Sequence, residues 1–304
     1  MSFSSRVKDE LCLVRPSSCC KTAELYGLLL FGRSFSSESI SIQTEHGGVA
    51  ERYASLLRQV CDIGPVVSSA GGRRELQTVT VTGEADRRRV LHHFDHSARD
   101  IQLRIRGARL QRECCAGAFV RGAFLACGSL TDPQKDYHLE FLVPHLPLAS
   151  DFMAFLSGRG FAPRMVMRGS AAVIYFKESD HIEDLLTLMG ATNSTLELMN
   201  IKIYKNVRNK VNRITNCETA NLTKTVNAAV AQLEAIDRLE QTGRLAALPP
   251  ELQEAAALRR DNPEMSLSEL CAMCQNPITR SGFNHRLRKL VALAGDQDAG
   301  RDQQ

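Results

Sequence analysis

The 304-residue chain has no tryptophan, and aromatic residues make up only 6% of it. It also lacks a long apolar run. The longest stretch, Leu25 to Phe31, falls far short of the ~20 residues that cross a bilayer, so no membrane partner is expected. Arg6, Lys8, Asp9 and Glu10 precede any apolar segment, which is unlike a secretory signal. The expected location is cytoplasmic and nucleoid-associated, where the ten cysteines would be reduced thiols and not a disulfide framework. P-loop, dinucleotide and Ser-His-Asp patterns are absent as well, so no catalytic residue and no cofactor is expected. The net charge of +4 is too mild to demonstrate nucleic-acid binding by itself. What is present is an ordinary foldable composition, 43% hydrophobic and 24% charged, with length enough for two domains.

The first positive signal is an internal repeat. CCKTAELYGLLLFGRS, from Cys19 to Ser34, matches CCAGAFVRGAFLACGS, from Cys114 to Ser129. Each has a cysteine pair ahead of an apolar stretch, and Gly27 and Gly122 follow at the same spacing. Downstream, the alternating segments Ser39 to Gln43 and Tyr137 to Val143 read as strands. Amphipathic helices over Ala50 to Cys61 and Leu148 to Leu156 follow. Further strand-like runs come next: Pro65 to Ser68 with Leu76 to Thr82, and Arg164 to Met167 with Ala171 to Phe176. Each copy ends in a helix, near Asp86 to Phe94 and His181 to Met189. The unit is αββαββα used twice, with its first strand short, and Arg99 to Arg112 joins the copies. Glycine inside a helix costs about 1 kcal/mol relative to alanine. A glycine at the same place in both copies therefore implies close backbone approach of two helices.

LYGLLLFGRS and VRGAFLACGS resemble degenerate LAGLIDADG helices of homing endonucleases. That resemblance implies a saddle-shaped pair of sheets and, in active members, an acidic residue just before each closing glycine. The two acids meet at the pseudo-dyad and hold the divalent ions that activate water. Here Gly32 and Cys127 stand at those positions, and neither ligates a hard cation. Glu38 and Asp132 lie past the helices. Nuclease chemistry is therefore not expected. Arg73, Arg74, Arg104, Arg106, Arg109 and Arg112 could touch phosphate, although scattered arginines more often solvate a surface.

From Leu248 the pattern changes. Pro249-Pro250 opens a helix that ends at Asn262-Pro263. Ser266-Leu-Ser-Glu269 is a capping box, starting a second helix with Leu267, Leu270 and Met273 turned inward. Gln275-Asn276-Pro277 is a turn, and a third helix runs from Thr279 to about Ala294. Phe283, Leu287, Leu290 and Ala294 form its apolar stripe. Thr279, Arg280, Ser281, Asn284, His285, Arg286, Arg288 and Lys289 are its candidate DNA-contacting residues, and no acid interrupts them. This is the build of a helix-turn-helix with a recognition helix. Arginine reads guanine bidentately and asparagine reads adenine.

Ahead of it lies an acid-free basic run holding Lys202, Lys205, Arg208, Lys210 and Arg213, candidates for backbone phosphate contacts. A long helix is expected from about Thr219 to Gln241, with Leu222, Val226, Ala229, Leu233 and Ile236 as its stripe. NRITNCETANLTKTV, from Asn212, and PITRSGFNHRLRKL, from Pro277, are similar to sequences of the WhiA family of sporulation and cell-division regulators. The resemblance covers nearly the whole chain. It implies a non-enzymatic, sequence-specific transcription regulator of sporulation or cell-division genes. Its partners would be double-stranded promoter DNA and a protein co-regulator or RNA polymerase. A residual endonuclease and a protein-interaction scaffold that binds DNA weakly are the competing readings.

The expected fold class is α+β. A pseudo-two-fold duplicated αββαββα LAGLIDADG-like domain precedes an all-α helix-turn-helix domain. The expected divisions are an N-terminal helix at 1–15, the duplicated domain at 16–195 (repeats 16–95 and 112–190), a basic connector and long helix at 196–247, the helix-turn-helix at 248–295 and a disordered tail at 296–304. Cys271-Ala-Met-Cys274 is a lone pair without a partner at zinc spacing. Cys19, Cys20, Cys114 and Cys115 would converge if the repeat helices meet at their N-termini. A tetrahedral zinc or a redox pair could then form there, but buried packing is the expected role, with no metal site.

Overall fold

The computed structural model describes residues 1–71, 75–107 and 110–295. The tail at 296–304 and the arginines Arg73, Arg74 and Arg109 lie outside the described residues. The chain forms two compact units that part between Asn206 and Val207.

In the first unit, helix α1 (Phe3–Leu13) precedes two copies of the predicted order. The first copy is α2 (Ser18–Leu30), β1 (Ser34–Phe35), β2 (Ile40–Thr44), α3 (Gly47–Cys61), β3 (Val66–Ala70), β4 (Leu76–Val81) and α4 (Glu84–His93). The second is α5 (Glu113–Cys127), β5 (Gly128–Leu130), β6 (Leu139–Val143), α6 (Leu146–Ser157), β7 (Arg164–Arg168), β8 (Ala171–Phe176) and α7 (Ser179–Met189). Each copy folds its strands into one antiparallel sheet, ordered β1-β2-β4-β3 and β5-β6-β8-β7. Ile40 faces Val81 and Leu139 faces Phe176 across the central pairs. Ile40, Ile42, Val79 and Val81 turn into one core with Leu139, Phe141, Ile174 and Phe176. The outermost strands, β3 and β7, are exposed along their whole length.

Helices α2 and α5 pass through the middle of this core, and the two repeat glycines set how closely. A Cβ on Gly27 would stand 2.3 Å from the Phe119 carbonyl oxygen, and one on Gly122 would stand 2.1 Å from the Glu24 carbonyl oxygen. Only a residue without a side chain permits that approach. α1 is fastened over the pair: Lys8 Nζ donates to the Leu125 carbonyl at 3.3 Å, and the Leu130 N–H donates to Ser4 Oγ at 3.2 Å.

Helix α8 (Thr192–Gln241) corrects the expected connector. The basic run Lys202 to Arg213 lies within this helix, which starts well before Thr219. No glycine or proline occurs between Ala191 and Thr242, so nothing interrupts helical hydrogen bonding. The α1 residue Glu10 caps its start, accepting from the Asn193 and Ser194 N–H groups at 2.7 and 2.9 Å. A carboxylate at a helix N-terminus satisfies orphan donors and opposes the helix dipole. The helix ends at Gly243, whose φ of +67° suits glycine. The predicted stripe is buried only near that end: Ile236 is buried, whereas Leu222 and Val226 are exposed.

The second unit adds α9 (Pro250–Asp261), α10 (Leu267–Ala272) and α11 (Arg280–Gly295) after a 3-10 turn at Leu245–Ala247. No helix of the described residues is long and apolar enough to cross a membrane.

Candidate nucleic-acid interface

The last three helices form around one small core. Ile236 and Leu239 from α8, Leu252, Ala255 and Ala256 from α9, Leu270 from α10, and Phe283, Leu287 and Leu290 from α11 are all buried together. Burying a side chain such as Phe283 or Leu287 contributes about 1.5–3 kcal/mol, which is ample to fix the rotation of α11. The Ser266–Glu269 capping box is present with both of its hydrogen bonds. Buried Arg259, which the sequence pattern did not single out, holds the α9–α10 loop by donating to the Met265 carbonyl at 2.9 Å. Met273, expected inside, is 47% exposed, because α10 stops at Ala272 and the chain turns away. Cys271 and Cys274 pack partly buried against this core.

With Phe283, Leu287 and Leu290 inward, the opposite side of α11 is free. Arg280, Ser281, His285, Arg288 and Lys289 are exposed, and Asn284 is half-buried beside them. Thr279 sits at the N-cap and accepts from the Gly282 N–H at 3.2 Å. Arg286 differs from its neighbours, since it faces Glu254 of α9 at 3.4 Å with both side chains about four-fifths covered. Glu254 also accepts from the Gln275 N–H at 2.7 Å. This pair braces α11 against α9 and the turn.

The basic run splits in the same way. Lys202 pairs with Asp180 and, at 3.1 Å, with Glu183. The bond to Asp180 raises the ammonium pKa. Lys205 lies over the Tyr137 ring, 4.8 Å from its centroid. Both are engaged by the first unit, whereas Arg208, Lys210 and Arg213 are exposed. Arg104 is held by Asp151 through bonds of 2.8 and 2.7 Å, and Arg106 faces Asp100 at 3.4 Å.

At the inner helix ends there is no pair of carboxylates. Gly32 and Cys127 occupy them, and burial pushes the Cys127 thiol up to about 12, so it is protonated at neutral pH. The acid at the pseudo-dyad is elsewhere. Glu24 of α2 is fully buried. It accepts from Arg121 of α5 at 3.0 and 2.8 Å and from Arg52 of α3 at 2.7 and 2.9 Å. Two guanidinium groups thus place four hydrogen bonds on this carboxylate, which makes it the centre of a buried ion-pair triad. Sequence reading missed the triad; a lone acid and a lone arginine inside apolar helices were its only trace.

The cysteine pairs come together at the N-termini of α2 and α5, the convergence expected if the repeat helices meet there. The sulfurs of Cys19, Cys20, Cys114 and Cys115 all lie within 4.8 Å of one another.

A duplicated LAGLIDADG-like domain without inner-helix carboxylates, followed by a helix-turn-helix, defines the class of this molecule. Residues 116–208 match the WhiA LAGLIDADG-like domain and residues 211–294 the WhiA C-terminal HTH domain. The chain is 38% identical to a protein of Ruminiclostridium cellulolyticum across 97% of both chains, and 36% identical to one of Alkaliphilus metalliredigens across 99% of both. Both carry the name "Probable cell division protein WhiA". The chain belongs to the WhiA family. Its fold is shared with full-length WhiA from Thermatoga maritima, with a TM-score of 0.60, 22% identity, and coverage of 97% of this chain and 99% of that one.

Proposed function

We propose that this chain is a sequence-specific DNA-binding transcription regulator of sporulation or cell-division genes. It would act in the cytoplasm on double-stranded promoter DNA, with a protein co-regulator or RNA polymerase as partner. The observation that carries this reading is α11. Its apolar stripe is locked in the core, while Arg280, Ser281, His285, Arg288 and Lys289 project from a helix with no acidic residue. Such a helix fits a major groove and offers donors to base edges and phosphates. Recognition is assigned to Thr279, Arg280, Ser281, Asn284, His285, Arg288 and Lys289, and sequence-independent phosphate contact to Arg208, Lys210 and Arg213.

Replacing Arg288 by alanine is expected to cost about 1–3 kcal/mol of binding to the best genomic site and to relax preference at one base position. Arg208→Ala should weaken all duplexes alike and flatten the salt dependence by about one unit per lost contact. Titrations of both variants against the best site and a scrambled duplex, at two salt concentrations, separate the roles. An Arg288→Ala protein that discriminates as well as the parent would remove α11 from base recognition.

The regulator acts without cutting DNA. Phosphodiester hydrolysis of the endonuclease type requires carboxylates that hold divalent ions at the helix ends, and Gly32 and Cys127 stand there. With Mg²⁺ or Mn²⁺ the purified protein should leave supercoiled plasmid intact. Nicking that disappears in a Glu38→Gln or Asp132→Asn variant would show that other acids serve.

A further inference from the structure

The four N-terminal thiols make a ligand set that neither the fold nor the proposed regulation uses. Cys19 and Cys20 occupy the first turn of α2, and Cys114 and Cys115 the first turn of α5. The sulfurs within each pair stand 4.0 Å apart. Cys20 Sγ reaches across the pseudo-dyad, donating to the Cys114 carbonyl at 3.4 Å. Each repeat thus contributes the same two ligands, and the pseudo-two-fold axis makes two half-sites into one.

Packing alone does not account for this cluster. A cysteine acting as a small hydrophobe is buried, yet Cys114 is exposed and Cys19 only half-buried. Four sulfurs around a single zinc ion at about 2.3 Å would stand about 3.8 Å apart, against 4.0 Å within each pair and an outer limit of 4.8 Å for the set. Thiolates exclude the hard cations magnesium and calcium as preferred occupants. A multi-iron cluster would hold its cysteines farther apart than this. Four converging thiolates repel one another unless a cation lies between them. The free N–H groups of two helix N-termini favour the negative charge that a divalent ion leaves uncompensated.

We propose that Cys19, Cys20, Cys114 and Cys115 form a tetrahedral tetrathiolate site for one zinc ion, which clasps the N-termini of the two repeat helices. On binding, the four thiols release their protons to solvent and the sulfurs close from separations of up to 4.8 Å to about 3.8 Å. Exposed Cys114 marks the entry path. The ion is a structural cross-link between the repeats and plays no part in hydrolysis, since all four positions are filled by protein.

Metal analysis of the full chain, purified without chelator, should find about one zinc per chain. The Cys19→Ser/Cys115→Ser variant should lose it. Should that variant fail to fold, the unaltered chain still decides. After chelation, four thiols should become newly reactive to a thiol reagent, and added Co²⁺ should restore their protection with the visible absorption of a tetrahedral thiolate complex. A zinc-free chain that gives no such Co²⁺ spectrum would overturn the site. So would iron in place of zinc, or thiols recovered by a reductant and not by a chelator, which would mean disulfides.

Discussion

Replacing Glu24 by alanine should destabilise the first unit by about 3–5 kcal/mol, because it leaves Arg121 a buried, unpaired charge. Arg121 is 5% exposed, and its remaining bond, to the Met189 carbonyl at 2.8 Å, does not neutralise it. Arg52 retains the Cys12 carbonyl at 3.1 Å and some contact with solvent, so most of the loss falls on Arg121. Against a typical total of about 5–15 kcal/mol, such a loss places the variant near its unfolding threshold. Urea unfolding followed by circular dichroism measures it. The Glu24→Leu/Arg121→Met double variant should recover part of the loss, since an apolar pair of similar volume often replaces a buried ion pair without penalty. A single-variant loss under about 1 kcal/mol would show that the triad is hydrated and contributes little.

Gly122→Val should be at least as damaging, with a cost at or beyond the upper end of the roughly 1–3 kcal/mol of ordinary overpacking. Even Gly122→Ala should destabilise, although alanine in a helix interior is worth about 1 kcal/mol over glycine. Steric conflict wins because the obstacles are backbone: the Glu24 carbonyl at 2.1 Å and the Leu28 nitrogen at 2.9 Å from the added Cβ. Relief requires separating α2 from α5, and both are fixed by the sheets they cover. The same separation draws Arg121 away from Glu24, so the glycine contact and the ion pair should fail together. Gly64→Ala is the control, because nothing lies within 4 Å of its added Cβ. Thermal unfolding of the three proteins would test the comparison. A Gly122→Ala chain as stable as the parent would mean that the helices cross elsewhere.

Much of this architecture was legible residue by residue. Ser39 to Gln43 and Tyr137 to Val143 alternate because one side of each strand meets the core. Phe283, Leu287 and Leu290 recur at helical spacing for the same reason. The Ser266–Glu269 box and the uninterrupted positive charge of α11 are also local, so the helix-turn-helix could be found without a structure. Long-range partners were less visible. The stripe through Leu222 and Val226 has helical spacing but remains exposed, because spacing reports the helix and not whether anything covers it. Likewise, five basic residues in a run look equivalent, yet Lys202 and Lys205 are taken by Asp180, Glu183 and Tyr137.

The sequence by itself determined the duplication, the element order, the absence of helix-end acids and the basic, acid-free build of α11, since each is a pattern within some thirty residues or a match between two such windows. Tertiary structure alone decided that Glu24 meets Arg121 across the pseudo-dyad and that Arg286 meets Glu254 across the C-terminal helices, and it closed the convergence of Cys19, Cys20, Cys114 and Cys115 that the sequence left conditional. Periodicity records how each residue alternates between water and core. It carries no information about where two helices cross, and a crossing closed by two glycines brings together side chains almost a hundred residues apart.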